Sequence, residues 1–247
     1  MDLQPTAEGR TLDALHAHQV ALFAVASLAE LRESDTESHL LRVRHYVRLL
    51  ATKLQSHPSF AGQLTDAYIE ALSDAIPMYD LGTVAIPDRI LLKPGRLTAE
   101  EQAIMSTHTT KGFDAIVRAE KSLGLLSPML ALAKEMTLSH HEKWNGKGYP
   151  KGLSETQIPV SARLLALADV YDALISNKVY RQGKTYQEAL GIIFSERGQH
   201  FDPDVVDAFM ELSAEFEEIA HRFADTEQDM QNKIDYMANA IAEIAVL

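Results

Sequence analysis

The chain carries ten histidines, at positions 16, 18, 39, 45, 57, 108, 140, 141, 200 and 221, and no cysteine. Imidazole is the commonest metal ligand, and carboxylates complete sites for hard or borderline cations. His39, His108, His140 and His141 fall on helical segments or their ends, and two of them are adjacent. Asp35 and His39 are four residues apart on one helical stretch, so both can face one point. Asp80 closes the apolar segment AIPMYDLG, and Asp169 sits inside LLALADVYDAL. A carboxylate in such a run is costly to bury unless it is paired or bound to a metal. Histidine and aspartate donors without cysteine suit Fe, Mn or a catalytic Zn rather than a structural zinc. Each residue alone also has a plainer reading. His16, His18, His45, His57, His200 and His221 read as caps or satisfied core residues, Asp35 as a first-turn acid favoured by the helix dipole, and Asp169 and Asp172 as salt-bridged helix residues.

The elements that must position these groups are nearly all helices. Alternating Val/Ile runs bounded by turns are scarce, so a sheet has little to build from. The spacing predicts helices over 10–32, from near Asp35 to His57-Pro58, and over 64–76, 98–120, 127–142, 159–176, 185–197 and 203–223. Ser34/Glu37, Thr98/Glu101 and Thr185/Glu188 have capping-box spacing. Leu40, Leu41, Val43, Val47, Leu50 and Leu54 form the apolar stripe of the second helix. Pro159 and Pro203 suit first-turn positions. Gly82, Pro87, Pro94 and Gly95 punctuate a loop, and 144–158 is a Gly-rich loop. Met230, Ile234, Met237, Ile241 and Ile244 repeat at 4, 3, 4, 3, an a/d seam. It reads as a terminal helix docked on the core, or as a coiled coil that forms a homodimer.

The 247 residues include 23 Lys+Arg and 35 Asp+Glu, a net charge of −12, with 46% apolar and 23% charged residues. This is the mix of an ordinary soluble globular chain and excludes collagen and wholesale disorder. The acidic balance argues against a nucleic-acid polymer or an anionic membrane as partner, since both select a basic face. A small anionic ligand needs a local cation to invert the field. Lack of cysteine excludes disulfides, zinc ribbons and Cys nucleophiles. The N-terminus lacks the basic and apolar regions of a signal peptide, and the apolar run at 20–29 is too short to span a bilayer. A soluble cytoplasmic protein is the expectation.

Several segments, in the order they occur, resemble the HD-GYP domain, a branch of the HD phosphohydrolases. They are DLGTVAIPD at 80–88, KPGRLT at 93–98, His108 in its MxxH context, HHEKWNGKGYP at 140–150 and ARLLALADVYDAL at 162–174. The likeness runs from about residue 20 to 223 and is nearest to the bacterial response-regulator type with a receiver domain upstream; no receiver is present in this chain. The resemblance implies an all-α HD bundle with extra terminal helices, divided as a linker helix at 1–32, the HD-GYP domain at 33–223 and a C-terminal helix at 224–247. It implies a centre of one to three Fe or Mn ions, with Zn as an alternative, that hydrolyses cyclic di-GMP or a related cyclic dinucleotide to pGpG or GMP. Carried over by position, His39 and Asp169 hold the first ion and Asp80 bridges. His108 and His140 hold the second, with His141 a neighbouring ligand, and Asp35 stands where a Glu helps bind a third. Asp80, His108 and Asp169 are thereby the residues of catalysis. Lys178 and Arg181 match basic positions near the substrate phosphates. Gly148, Tyr149 and Pro150 form the signature loop that shapes the cleft, with Tyr149 at the substrate, and docks diguanylate cyclase domains. On residue chemistry alone the same loop is a matter of geometry, Gly supplying φ > 0 and Pro stiffness.

Two positions depart from that pattern. The His-Asp pair is here Tyr79-Asp80, and a Lys that assists at the scissile phosphate is Thr83. A neutral phenol is a poor ligand for a divalent metal, although phenolate binds ferric iron. Losing one preorganised electrostatic stabiliser costs about 10²–10³ in rate, so two additive losses leave roughly 10⁴-fold less activity. The sequence thus supports a weakened phosphodiesterase or a non-catalytic module that binds ligand or partner, and, as the least favoured reading, a ferric redox or oxygen sensor ligated by Tyr79.

Overall fold

The computed structural model describes residues 7–30, 32, 38–93, 95–178 and 181–246. Asp35, the Ser34/Glu37 pair and Pro94 lie outside these residues, as do the side chains of His18, Ile241 and Ile244. Twelve α-helices follow in order among the described residues: α1 (Ala7–Glu30), α2 (Ser38–Leu54), α3 (Asp66–Ala75), α4 (Asp88–Leu91), α5 (Ala99–Met105), α6 (Thr107–Leu123), α7 (Pro128–Ser139), α8 (Val160–Ile175), α9 (Tyr186–Ser195), α10 (Pro203–Glu211), α11 (Ser213–Arg222) and α12 (Glu227–Val246). Two 3₁₀ turns, Ile76–Met78 and Leu81–Ala85, flank Asp80. The described residues contain isolated β-bridges but no strand, so the fold is all-α.

Caps set several boundaries. The Thr98 hydroxyl accepts from the Glu101 amide, and the Glu101 carboxylate accepts from the Thr98 amide, which closes the box that starts α5; Thr185 and Glu188 do the same for α9. Each satisfies two helix-end donors that would otherwise lack partners. The stretch expected as one helix over 98–120 is broken at Ser106, whose hydroxyl donates to the Gln102 carbonyl. The 203–223 stretch breaks likewise at Leu212, where φ −100° and ψ 11° leave the helical basin. Pro203 occupies the first turn of α10, whereas Pro159 precedes α8 as its cap.

Helix α2 is the axis of the bundle. Its stripe of Val43, Val47, Leu50 and Leu54 is buried against α3, α8, α10 and α11. At that junction Tyr46 stacks on Phe216 with centroids 4.5 Å apart and meets Tyr171 edge-on at 5.3 Å. Phe209 meets Phe216 edge-on at 4.8 Å. These rings lock four helices through offset and T-shaped contacts. The Tyr46 hydroxyl is buried there without a hydrogen-bond partner.

The terminal helices meet each other. α1 lies against both 3₁₀ turns, and α12 lies against α4. Lys233 of α12 is buried and donates to the Glu30 carbonyl at 2.6 Å, placing a cation at the C-terminus of α1. Arg32 donates to the carbonyls of Val84 and Ile86 and pairs with Asp88. Of the 4-3-4-3 seam, Met237 is buried, Met230 half-buried and Ile234 exposed. No helix among the described residues is long and apolar enough to cross a membrane.

Candidate metal centre

Three segments converge on one cavity of about 320 Å³. Asp80 hangs between the two 3₁₀ turns, His108 lies in the first turn of α6, and His140 and His141 follow α7 directly. Gly82 makes this approach feasible. A Cβ there would lie 1.9 Å from the His108 carbonyl oxygen, so only glycine lets the Asp80 turn sit against α6. His39 from α2 and Asp169 from α8 complete the wall on the other side.

The His108, His140 and His141 donor atoms lie within 4.8 Å of one another. The Asp80 Oδ1 lies 3.4 Å from His108 Nε2 and 3.3 Å from His140 Nε2, and those two nitrogens are 3.5 Å apart. A zinc-sized cation with donors at about 2.1 Å in tetrahedral array spaces them about 3.4 Å apart. Asp80 Oδ1 is also a buried oxygen with no hydrogen-bond partner. An orphaned carboxylate oxygen facing imidazole nitrogens at ligand spacing fits a bound cation.

The outer hydrogen bonds fix these rings. His108 Nδ1 lies 2.8 Å from the Met105 carbonyl, and His140 Nδ1 lies 2.8 Å from the Met136 carbonyl. A carbonyl only accepts, so each Nδ1 carries a proton and each Nε2 is turned to the cluster. Burial lowers the pKa of His108, and burial with the neighbouring His140 and His108 lowers His141 well below its usual value. Both are therefore neutral, the form that ligates. Burial opposes ionisation of Asp80, yet His140 above all holds its carboxyl below the usual range. His140 is also desolvated, but Asp80 raises its pKa on balance.

The other side of the cavity does not fit an ion. The Tyr79 hydroxyl lies 2.8 Å from Asp169 Oδ1, to which it donates, and 2.7 Å from His39 Nε2. His39 Nδ1 lies 2.8 Å from Asp172 Oδ2. Arg42 donates to both oxygens of Asp172, from Nε at 2.6 Å and from Nη2 at 2.9 Å. Burial works against a charge on His39, but Asp172, Glu30 and Asp169 push it up to about 10. Asp172 is desolvated too, and His39 and Arg42 keep its carboxyl below the usual range. Burial and the charges of Asp169 and Asp80 raise Tyr79 well above a normal phenol, which disfavours phenolate ligation. Asp169 is raised by burial, partly offset by His39.

The Gly148–Pro150 loop covers the histidines. Tyr149 stacks on His141 with centroids 4.8 Å apart, and both rings line the cavity. Gly148 does not have the positive φ expected of it. Its role is close approach, because a Cβ there would lie 2.4 Å from the Lys143 amide nitrogen and 2.5 Å from the His141 carbonyl oxygen. Gly146 and Gly152 hold the left-handed turns instead. The Tyr149-Pro150 peptide is cis. Glu142, buried, accepts from the Lys151 and Leu153 amides at 2.8 and 2.9 Å and anchors the loop.

Among the expected site residues, His39, Asp80, His108, His140, His141, Asp169, Tyr79, Thr83 and Tyr149 gather around the cavity, with His140 behind its wall. Lys178 and Arg181 pair with each other by backbone bonds in a turn and do not line it; Arg181 donates to the carbonyl of Ala173, which does. The Thr83 hydroxyl donates back to the Asp80 carbonyl at 2.8 Å. No Lys or Arg lines the cavity among the described residues. Glu30, Ala26 and Ala29 of α1 do line it, so the site draws on residues on both sides of position 32. Sequence reasoning missed Glu30, Arg42 and Glu142. Only Glu142 left a signal, as an acid between the paired histidines and a Gly-rich loop.

A helical bundle that collects imidazoles and carboxylates from separate helices at one cavity is the architecture of an HD-type domain. Residues 24–205 match the HD domain family. A probable cyclic di-GMP phosphodiesterase of Vibrio cholerae is 48% identical over 209 residues, covering 85% of this chain and 47% of that protein. A cyclic di-GMP phosphodiesterase of Thermotoga maritima is 38% identical, covering 80% of this chain and 50% of that one. The cyclic di-GMP phosphodiesterase response regulator RpfG of Xanthomonas campestris is 34% identical, with 82% and 50% covered. The chain thus spans about half the length of the curated relatives it matches. The crystal structure of a V. cholerae cyclic GMP-AMP-specific phosphodiesterase shares the fold, with TM-score 0.55 at 18% identity over 91% of this chain and 59% of that one. The chain belongs to the HD domain family, in its HD-GYP branch, with Tyr-Asp in place of the His-Asp pair. It has the phosphodiesterase fold of that branch.

Proposed function

We propose that this domain binds a cyclic dinucleotide of the cyclic di-GMP kind over one ion at His108, His140, His141 and Asp80, and hydrolyses it only weakly to pGpG or GMP. The observation that carries this reading is the Tyr79 hydroxyl between His39 and Asp169, where a second cation would act on the phosphate. The relatives' activity supports the substrate class. The mixed imidazole and carboxylate donor set suits Fe, Mn or a catalytic Zn. An ion held there would act as a Lewis acid toward the phosphate oxygen and lower the pKa of an attacking water. Asp80 and His108 hold that position, and Asp169 faces the cavity with its proton affinity raised, which suits it to accept a proton from water. The Tyr149 ring supports contact with a purine. Lys178 and Arg181 do not line the cavity; Arg181, which donates to the Ala173 carbonyl at its wall, is the one proposed to reach the phosphates of a bound ligand, with Lys178 paired to it.

A second reading is a non-catalytic module that binds the ligand or a partner such as a diguanylate cyclase domain through the Gly148–Pro150 loop. Thr83 favours it, because its hydroxyl donates to the Asp80 carbonyl and no Lys or Arg among the described residues lines the cavity in its stead. A cytoplasmic setting, an upstream receiver domain and a homodimer through α12 belong to the same proposal.

One experiment separates the two. The metal content of the purified protein is measured, the protein is incubated with cyclic di-GMP and Mn²⁺ or Fe²⁺, and the products are resolved by chromatography. Turnover abolished by His140→Ala supports the weak enzyme. No turnover, with recovery in Tyr79→His/Thr83→Lys, supports the non-catalytic module. Absence of cyclic dinucleotide binding by calorimetry would refute the weak enzyme and the ligand-binding form of the module, leaving only a module that binds a partner.

A further inference from the structure

His39 Nε2 and Asp169 Oδ1 lie 3.6 Å apart, and the Tyr79 oxygen sits 2.7 Å from the first and 2.8 Å from the second. A cation of the first transition series needs contacts of about 2.0–2.2 Å to such donors, and would have to share space with the phenol oxygen. The position is filled rather than vacated. Donor counting shows how. A phenol has one proton, and it goes to Asp169, so Tyr79 accepts from His39 Nε2; Asp172, an acceptor, takes the Nδ1 proton. The chain of bonds continues through Asp172 to Arg42, which also donates to the Phe223 carbonyl at 3.0 Å and to the Ser176 hydroxyl at 3.0 Å. It thereby ties α2, the turn before Asp80, α8 and the end of α11 together.

We infer that Tyr79 is a built-in substitute for the first ion: the chain Arg42–Asp172–His39–Tyr79–Asp169 does the tying that an ion shared by His39 and Asp169 would do, and holds the protein to a single ion at the imidazole cluster. This rests on reading that cluster as a metal site, but it concerns the opposite wall. Restoring a ligand at 79 then opens the closed position, while removing only the hydroxyl leaves it blocked and cuts the tie.

The test is metal stoichiometry, read without substrate. The unchanged full chain, Tyr79→His and Tyr79→Phe are each equilibrated with Mn²⁺, freed of excess, and measured by elemental analysis and electron paramagnetic resonance. The expected result is at most one Mn²⁺ per chain with an uncoupled six-line signal for the unchanged protein, and one ion more with an exchange-coupled signal for Tyr79→His. Tyr79→Phe gains no ion and melts several degrees lower, since His39 and Asp169 lose their shared partner. Two ions in the unchanged protein, or no gain in a folded Tyr79→His, overturns the inference; an unshifted melting temperature in Tyr79→Phe overturns the tie. If Tyr79→His does not fold, the count and signal of the unchanged protein decide. Loss of cyclic dinucleotide binding with these counts intact strikes the functional proposal alone.

Discussion

Replacing Asp172 by Asn tests whether the Arg42–Asp172–His39 chain is the internal brace of the site. Asp172 is fully buried and Arg42 is 3% exposed. Two short bonds join them, and a third links Asp172 to His39. Removing one partner of a buried pair leaves the other charge uncompensated, at a cost of about 3–5 kcal/mol. In a domain of this size each kcal/mol moves the melting temperature by about 2–4 °C, so Asp172→Asn is expected to melt about 6–20 °C lower. The double variant Arg42→Met/Asp172→Asn removes the stranded guanidinium and recovers much of that loss. Calorimetric melts of the unchanged protein, Asp172→Asn, Arg42→Met and the double variant give the coupling, expected above about 2 kcal/mol. A fall below about 1 kcal/mol in the single variant, or strictly additive losses in the double, refutes the brace.

Tyr46→Phe keeps the ring contacts and removes a buried hydroxyl without a partner; urea unfolding is expected to show a gain of about 1 kcal/mol. Gly148→Ala drives a Cβ to 2.4 Å from the Lys143 nitrogen, so the loop shifts at a cost of about 1–3 kcal/mol, and quantitative binding of cyclic di-GMP weakens with it. His39 titrates at about 10 in the folded protein against 6.5 unfolded. Its contribution is therefore fully present below about pH 6.5 and is lost as pH rises through 10. Stability measured from pH 6.5 to 10 should fall more steeply in the unchanged protein than in His39→Asn; parallel curves would sink that assignment.

Much of the fold was legible because its signals are local. The capping boxes at Thr98 and Thr185 and the stripe of α2 depend on neighbours three and four residues away, and the structure forms them. The breaks at Ser106 and Leu212 were not legible, since both stretches keep helical spacing across them. The glycine of the signature loop was visible, but its reason was not. Steric contact with the backbone of residues 141–143, not left-handed geometry, demands it.

The sequence by itself determined the chemical identity of the site: which histidines and aspartates occur, in which order, and that tyrosine and threonine stand where a ligand and a cation would be. What those substitutions do was decided only by tertiary structure. A phenol beside an aspartate is ambiguous along the chain. It becomes a filled position when α2 and α8 deliver His39 and Asp169, 40 and 90 residues away, to within 2.8 Å of one oxygen. Arg42 likewise reads as an ordinary polar residue of α2, until Asp172, 130 residues on, meets it inside the bundle. Hydrogen bonds act over about 3 Å of space and are blind to sequence distance, so a motif can name the donors and only the packed helices can say which of them touch.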